Sequence, residues 1–115
     1  MIKVYHNPRC TKSRQALAYL DEKGVRYEVR LYMKEEESLT FDELFAALDT
    51  MNMEAKDLVR RKEAIWKELF ANLELEDDEI IYAMIEHPKL MERPIVINGD
   101  KAVVARPTEK IDEVL

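Results

Sequence analysis

The sequence has one cysteine and no long apolar run. A helix that crosses a bilayer needs ~18–20 consecutive apolar residues, whereas the hydrophobic residues here come in short runs. A single cysteine cannot form a disulfide within the chain, which favours a reducing compartment. No basic segment followed by an apolar stretch leads the sequence, so we expect no secretory signal and a cytoplasmic protein.

Metal ligands and excess positive charge are also scarce. Two histidines and one cysteine are the only nitrogen and sulfur ligands, so we expect no metal site. The formal net charge is −6, from 18 Lys and Arg against 24 Asp and Glu. Such a chain is poorly suited to broad binding of nucleic acid or an anionic membrane. With these classes of protein excluded, the sequence is that of a small domain of 115 residues, of which 47% are hydrophobic.

The first part of the chain has the pattern of a βαβ unit. Apolar and polar residues alternate over Ile2–Tyr5 and again over Val25–Tyr32, as they do in strands. Between them, Thr11 to about Lys23 carries leucines at helical spacing, and Gly24 follows as a stop signal. The short connection predicts two parallel strands joined by a right-handed crossover.

The middle of the chain is predicted to be helical. Thr40 and Glu43 have the spacing of a capping box, which marks the start of a helix. That helix is expected to bury four apolar side chains: Phe41, Leu44, Phe45 and Leu48. Further helices are expected at about residues 55–59, 63–70 and 77–86.

The last part of the chain is predicted to form a ββα unit. Two short apolar stretches, Pro94–Ile97 and Ala102–Ala105, flank Asn98-Gly99-Asp100, which is typical of a hairpin turn. Pro107 can occupy the first position of a final helix. That helix is expected to bury Ile111, Val114 and Leu115. The whole pattern predicts one α/β domain.

Cys10 is the first candidate for chemistry, because it stands where the first strand gives way to the first helix. Free N–H groups and the helix dipole favour negative charge at that point. Arg9, Lys12 and Arg14 add three cations within four residues of the thiol. Both effects favour a reactive thiolate, whereas the alternative is a buried and inert cysteine. We therefore interpret Cys10 as a nucleophile.

The residues that follow Cys10 exclude two cysteine chemistries. A phosphatase-type loop requires Cys-x5-Arg, and the sixth residue after Cys10 is Ala16. A dithiol redox site requires Cys-x-x-Cys, and Ser13 occupies the second cysteine's position. An oxidised or derivatised Cys10 must therefore be resolved by a thiol from outside the chain.

Two Arg-Pro pairs stand at the open end of the predicted hairpin. With Gly99-Asp100 in the turn, Arg93 pairs with Arg106. With Asn98-Gly99 in the turn, the two arginines are diagonal neighbours about 7–8 Å apart. In both registers they share one face, where like charges repel unless an anion joins them. The alternative is that each meets a surface carboxylate; we favour an oxyanion site.

Four short motifs occur in order along the chain. His6 to Arg14 has the pattern His-x3-Cys-x3-Arg, and three later motifs follow: Leu58–Lys62, Glu92–Val96 and Ala105–Pro107. In these residues the chain resembles the ArsC family of glutaredoxin-linked arsenate reductases, over almost its whole length. The resemblance implies a thioredoxin-like fold, a mixed four-stranded sheet with a core at about residues 1–34 and 90–115. A helical insertion would occupy about residues 35–89.

The resemblance also implies roles for individual residues. Cys10 would attack arsenate, and three arginines would hold the oxyanion: Arg60, Arg93 and Arg106. Arg60 is preferred over Arg61 by the motif alignment alone. Pro94 would match the cis-proline that faces the active site in thioredoxin-like folds.

Two further residues would support the thiolate form of Cys10. Arg14 is the arginine of the His-x3-Cys-x3-Arg pattern, and the resemblance gives His6 the same role. From the residues alone, His6 is equally a hydrogen-bonded residue at the end of a strand.

The implied reaction is the reduction of arsenate to arsenite. Glutathione would serve as the external thiol and glutaredoxin would clear the mixed disulfide, so no metal or bound organic cofactor is required. Thr11 stands where arsenate reductases tend to carry glycine. The superfamily that the chain resembles also includes other kinds of protein, which leaves two alternatives open. One is a glutathione-dependent reductase of another substrate. The other is an Spx-type regulator that binds RNA polymerase, although Ser13 removes the Cys-x-x-Cys switch that is common there.

Overall fold

The structure is a computed structural model that describes residues 1–115. The chain divides into two units. One comprises Met1–Glu37 together with Arg93–Leu115, and the other comprises Ser38–Glu92. None of the helices is both long enough and apolar enough to span a membrane.

The first unit contains four strands: β1 (Ile2–Tyr5), β2 (Tyr27–Arg30), β3 (Ile95–Asn98) and β4 (Lys101–Val104). They form a mixed sheet in the order β2-β1-β3-β4. β1 is parallel to β2 and antiparallel to β3, while β3 and β4 form an antiparallel hairpin. Helix α1 (Thr11–Glu22) connects the parallel pair. The predicted α/β fold with a βαβ start and a closing hairpin is confirmed.

β2 is shorter than the predicted stretch 25–32, because the residues at its ends bond elsewhere. The N–H of Val25 donates to the helix carbonyl of Leu20 (3.3 Å). The N–H of Leu31 donates to the carboxylate of Glu37 (3.3 Å). Neither N–H is left for a neighbouring strand, so the ladder stops at Tyr27 and Arg30.

The core of this unit lies where α1 and the C-terminal segment pack on the sheet. Its buried members are small and branched apolar side chains: Ile2, Val4, Ala16, Leu20, Val96, Ala105, Ile111 and Val114. The sheet alternation explains the contribution of β1, since Ile2 and Val4 are buried while Lys3 between them is exposed.

The C-terminal segment differs from its prediction in two respects. It is a 3₁₀ helix over Thr108–Val114, and the extended Pro107 (ψ 166°) precedes it instead of opening it. Leu115 is 43% exposed, not buried. A 3₁₀ helix has three residues per turn, so Ile111 and Val114 share the buried face and Leu115 is turned away from it.

The second unit consists of helices: α2 (Phe41–Met51), α3 (Ala55–Leu58), α4 (Ala64–Leu69) and α5 (Asp77–Glu86). The capping box at α2 is confirmed, because Thr40 Oγ1 accepts the Glu43 N–H (3.1 Å) and Glu43 accepts the Thr40 N–H (3.0 Å). The expected burial of Phe45 is wrong, since it is 50% exposed. The buried face of α2 has helical spacing and consists of Leu44, Ala47 and Leu48. Phe45 lies beside that face and stacks on Phe41.

Candidate active site

The loop between β1 and α1 places Cys10 at the N-cap of the helix. The residue is extended (φ −94°, ψ 123°), and its N–H donates to the carbonyl of Asn7 (3.0 Å). Its own carbonyl accepts the Arg14 N–H (3.0 Å) as the first bond of the helix. The cysteine is half-buried. Its thiol therefore stands beside the first N–H groups of a 12-residue helix, which have no partner within the helix.

Two buried polar residues to which the sequence analysis assigned no role hold this loop. The Asn7 N–H donates to Ser13 Oγ (3.2 Å), and Asn7 Oδ1 accepts the Arg9 N–H (3.1 Å). Ser13 is completely buried. An asparagine that bonds to the backbone two residues later is a common turn device, so Asn7 was recognisable from sequence. The bond to Ser13 spans six residues and was not.

Arg14 holds the loop from its exposed side. Its guanidinium donates to the Pro8 carbonyl (2.8 Å) and to Thr11 Oγ1 (3.2 Å). These bonds tie both sides of the Cys10 loop to one cationic side chain. The predicted role of Arg14 as a support for the thiolate stays a prediction.

His6 lies at the end of β1 and is only 5% exposed. Its N–H donates to the Arg30 carbonyl (2.9 Å), and its ring Nδ1 has no hydrogen-bond partner. Burial lowers the pKa of His6 below 6.5, and the charge of Arg14 lowers it further. This lowered pKa favours the neutral imidazole, and the predicted support of Cys10 by His6 stays a prediction.

The hairpin brings the second group of candidates together. Asn98 pairs with Lys101 and Ile95 with Val104, so Gly99-Asp100 forms the turn, one of the two predicted registers. The Ala105 N–H donates to the Pro94 carbonyl (2.9 Å) and continues the contact beyond the ladder. The bonds before Pro94 and Pro107 are both cis; the resemblance implied the first, and no prediction covered the second.

Arg106 connects the hairpin with the cysteine. Its Nε donates to the Arg93 carbonyl (2.6 Å), and its Nη2 lies 3.9 Å from the Cys10 sulfur. One guanidinium is therefore fixed against a backbone carbonyl on one side and directed at the thiol on the other. This contact links residues 96 positions apart in the sequence.

Arg93 supplies the second guanidinium at the open end of the hairpin. Its Nε and Nη1 are buried and have no hydrogen-bond partner. Burying charged donors without an acceptor is costly, and a guanidinium matches the geometry of an oxyanion. The alternative of a surface carboxylate does not apply to Arg93, because no carboxylate pairs with it. Arg93 therefore has the chemistry of an anion ligand, and Arg106 lies beside the thiol.

Arg60 lies in the helical unit. Its guanidinium is 3.0 Å from the Glu63 carboxylate and 3.9 Å from that of Glu92. The neighbouring Arg61 is exposed and donates to the Lys56 carbonyl (3.3 Å). The predicted role of Arg60 as a third oxyanion ligand stays a prediction. The structure has no cluster of three side chains that could hold a metal ion.

A lone cysteine at the first helix N-cap, a cis-proline and a mixed four-stranded sheet define a thiol protein of the thioredoxin-like class. The sequence model of the ArsC family matches residues 5–114. The chain belongs to the ArsC family.

Individual relatives agree with this assignment. The chain is 45% identical to the uncharacterized protein YfgD of Escherichia coli, over 99% of this chain and 96% of the relative. It is 40% identical to an arsenate reductase of Haemophilus influenzae, over 97% of each. The structure of an arsenate reductase from Vibrio cholerae superposes with a TM-score of 0.91 at 40% identity, covering 99% of this chain and 97% of that one. These relatives confirm the thioredoxin-like fold and support an oxidoreductase.

Proposed function

We propose that the protein reduces arsenate to arsenite in the cytoplasm, with Cys10 as the nucleophile. The observation that carries the proposal is the contact of Arg106 with both the Cys10 sulfur and the Arg93 carbonyl. This contact supports an oxyanion site beside the thiol, as do the buried donors of Arg93, which have no partner. Relatives named arsenate reductase support arsenate as the oxyanion.

The first step forms a bond between sulfur and arsenic. The Cys10 thiolate attacks arsenate, and one arsenate oxygen leaves as water after protonation. Negative charge builds up on the remaining arsenate oxygens as the sulfur attacks. Hydrogen-bond donors that already point at these oxygens stabilise that charge without having to rearrange. Arg93 and Arg106 serve this purpose without reorganising.

The second step moves two electrons to arsenic. An external thiol, glutathione, attacks the Cys10 sulfur, so that a disulfide bond forms and the bond to arsenic breaks. The bonding pair stays with arsenic, which leaves as arsenite. Glutaredoxin then attacks the mixed disulfide and regenerates the Cys10 thiolate, because the chain has no second cysteine to do so.

The test is arsenite formation from arsenate by the purified protein with glutathione and glutaredoxin. We expect turnover by the wild type and none by Cys10→Ser, which keeps the size of the side chain. Reduction of small disulfides without arsenite would instead identify a thiol reductase of another substrate. Tight binding to RNA polymerase with no reductase activity under any thiol would identify a regulator.

A further inference from the structure

The chain around Cys10 is cationic although the protein is acidic. Residues 1–20 contain no Asp or Glu, while the whole sequence contains 24. Residues 1–37 and 93–115 together carry 12 Lys and Arg against 10 Asp and Glu. Positive charge is therefore concentrated in the unit that contains the thiol.

Many carboxylates of this unit lie away from Cys10. Asp21 and Glu22 form the last turn of α1, about 16 Å along the helix from its first residue at 1.5 Å per residue. Asp112 belongs to that end as well, since it accepts from Tyr19 (2.7 Å) and pairs with Lys23 (3.7 Å). Asp100 lies in the hairpin turn, at the opposite end of the hairpin from the two arginines.

The acidic run Glu35–Glu37 follows the end of β2 that lies beside the Cys10 end of β1, because the two strands are parallel. It follows β2, an edge strand of the sheet, whereas Cys10 follows the inner strand β1. The Glu37 carboxylate accepts the Leu31 N–H, and the Glu37 carbonyl accepts a hydrogen bond from Arg30 Nε (2.8 Å). Arg106, which follows β4, brings its Nη2 to 3.9 Å from the Cys10 sulfur.

The cations beside Cys10 differ in what they bind. Arg14 is occupied by the Pro8 carbonyl and Thr11, and Arg106 by the Arg93 carbonyl. The side chains of Arg9 and Lys12 are exposed and have no hydrogen bond or ion pair. They flank the thiol at one residue before and two residues after it. An oxyanion held by the arginine pair does not require them.

We propose that Arg9 and Lys12 select the external thiol by its charge, favouring a small thiol that carries carboxylates over a neutral or cationic one. This inference rests on the proposed function, which is what requires an external thiol. The selection itself can be measured on Cys10 alone by thiol–disulfide exchange. In that reaction the Cys10 thiolate attacks a small disulfide, forms a bond with one sulfur and releases the other as a thiolate.

The experiment compares three disulfides at pH 7 and low ionic strength: anionic glutathione disulfide, neutral 2-hydroxyethyl disulfide and cationic cystamine. Mass spectrometry of the intact protein follows the mixed disulfide. The variants are Arg9→Gln, Lys12→Gln and the double variant, with Lys101→Gln on β4 as the control for a distant exposed cation. The neutral disulfide reports any change in the thiolate itself, so the anionic-to-neutral rate ratio isolates charge selection.

We expect this ratio to fall about threefold for each cation removed, the factor for two unit charges about 7 Å apart in water. The cationic-to-neutral ratio should rise, Lys101→Gln should change neither, and 0.5 M salt should remove most of the effect. An unchanged anionic-to-neutral ratio in the double variant would overturn the inference even if arsenite is formed. Charge selection without arsenite formation would overturn the proposed function and leave the inference standing.

Discussion

At the scale of single residues, the site depends on groups with unusual surroundings. His6 is buried with an unpaired ring nitrogen, and Arg93 has two buried donors without an acceptor. Cys10 is half-buried next to Arg106. The surrounding fold holds these groups in environments that are unfavourable for each group alone, which is common at active sites.

The first residue-scale prediction concerns the reactivity of Cys10. Cys10 stands at a helix N-terminus with Arg106 Nη2 3.9 Å from its sulfur, so we expect iodoacetamide to alkylate it at pH 6–7 far faster than an ordinary thiol. His6→Ala should slow the reaction, because the hydrogen bond that His6 can offer is lost. Alkylation of the wild type at the rate of free glutathione would contradict the nucleophile assignment.

The second concerns pH and stability. The pKa of His6 is lower in the folded protein than its usual 6.5, so the unfolded chain binds more protons as the pH falls through 6.5. His6 therefore reduces the free energy of unfolding progressively below that pH. His6→Gln should lack this part of the loss. Urea unfolding at pH 7 and pH 5 should show a smaller pH effect in the variant; equal effects would mean that His6 titrates normally.

The same scale shows where sequence analysis stops. Cys10, Arg93 and Arg106 were identified because each sits at a recognisable local signal, a strand-to-helix junction or an Arg-Pro pair. The contact of Arg106 with the Cys10 sulfur and the orphaned Nδ1 of His6 were not predicted. Both depend on how distant segments approach, and no local pattern encodes that distance.

At the scale of elements, two short segments position the candidate site residues: the loop before α1 and the open end of the β3–β4 hairpin. Their backbone patterns were predictable, since a proline near a helix start and Asn-Gly-Asp between apolar stretches have few alternatives. Which side chains are buried was less predictable. Phe45 and Leu115 were assigned to buried faces from apolarity alone, and each lies one residue beyond a face that was already filled.

The loop prediction uses Ser13, whose Oγ accepts the Asn7 N–H inside the protein. Ser13→Ala leaves that N–H buried without a partner, which costs about 1–3 kcal/mol of stability. Most of the activity per folded molecule should remain, because Ser13 is no redox partner of Cys10. Urea melts measure the loss, with the exposed Thr50→Ala as control. A stability equal to wild type would show that the bond is not needed.

The hairpin prediction concerns anion binding. Sulfate or arsenate should stabilise the wild type by RT ln(1 + [L]/Kd), about 2.7 kcal/mol at a hundredfold excess over Kd. Arg93→Ala should abolish most of this protection and leave the unliganded protein at least as stable, because a buried unpaired charge is removed. Arg93→Lys should also lose much of it, since lysine cannot make a two-pronged contact.

Whereas Arg93→Ala should lower only the anion protection, Arg106→Ala is expected to change both the anion protection and the stability of the unliganded protein. It should lose anion protection and also some stability, because its bond to the Arg93 carbonyl disappears. Thermal melts with and without sulfate at matched ionic strength measure both quantities. Equal sulfate protection in the wild type and both alanine variants would rule out the oxyanion site.

At the scale of the whole molecule, charge is divided unevenly along the chain. Residues 38–92 carry 6 Lys and Arg against 14 Asp and Glu, whereas the unit with the thiol has a small positive excess. The net charge of the whole chain therefore does not describe the charge of the unit that contains the thiol. The relevant charge is that of the unit that holds Cys10, Arg93 and Arg106.

The whole-molecule prediction concerns Arg60, whose role rests on the family motif. Arg60→Gln should reduce arsenate turnover at least tenfold if the guanidinium contributes to transition-state binding, as the loss of one charged contact does. Arg61→Gln is the matched control and should retain activity. Thermal melts must accompany the assay, because Arg60→Gln also removes the ion pair with Glu63. Equal activities of the two variants would remove Arg60 from the site.

The most direct test of the central claim is a single turnover without glutaredoxin. Stoichiometric protein, arsenate and glutathione should yield about one arsenite per Cys10, because no second cysteine can clear the mixed disulfide. Intact mass and peptide mapping should then find glutathione on Cys10, and Cys10→Ser should yield neither product. Arsenite formed without glutathione on Cys10, or formed equally by Cys10→Ser, would contradict the account.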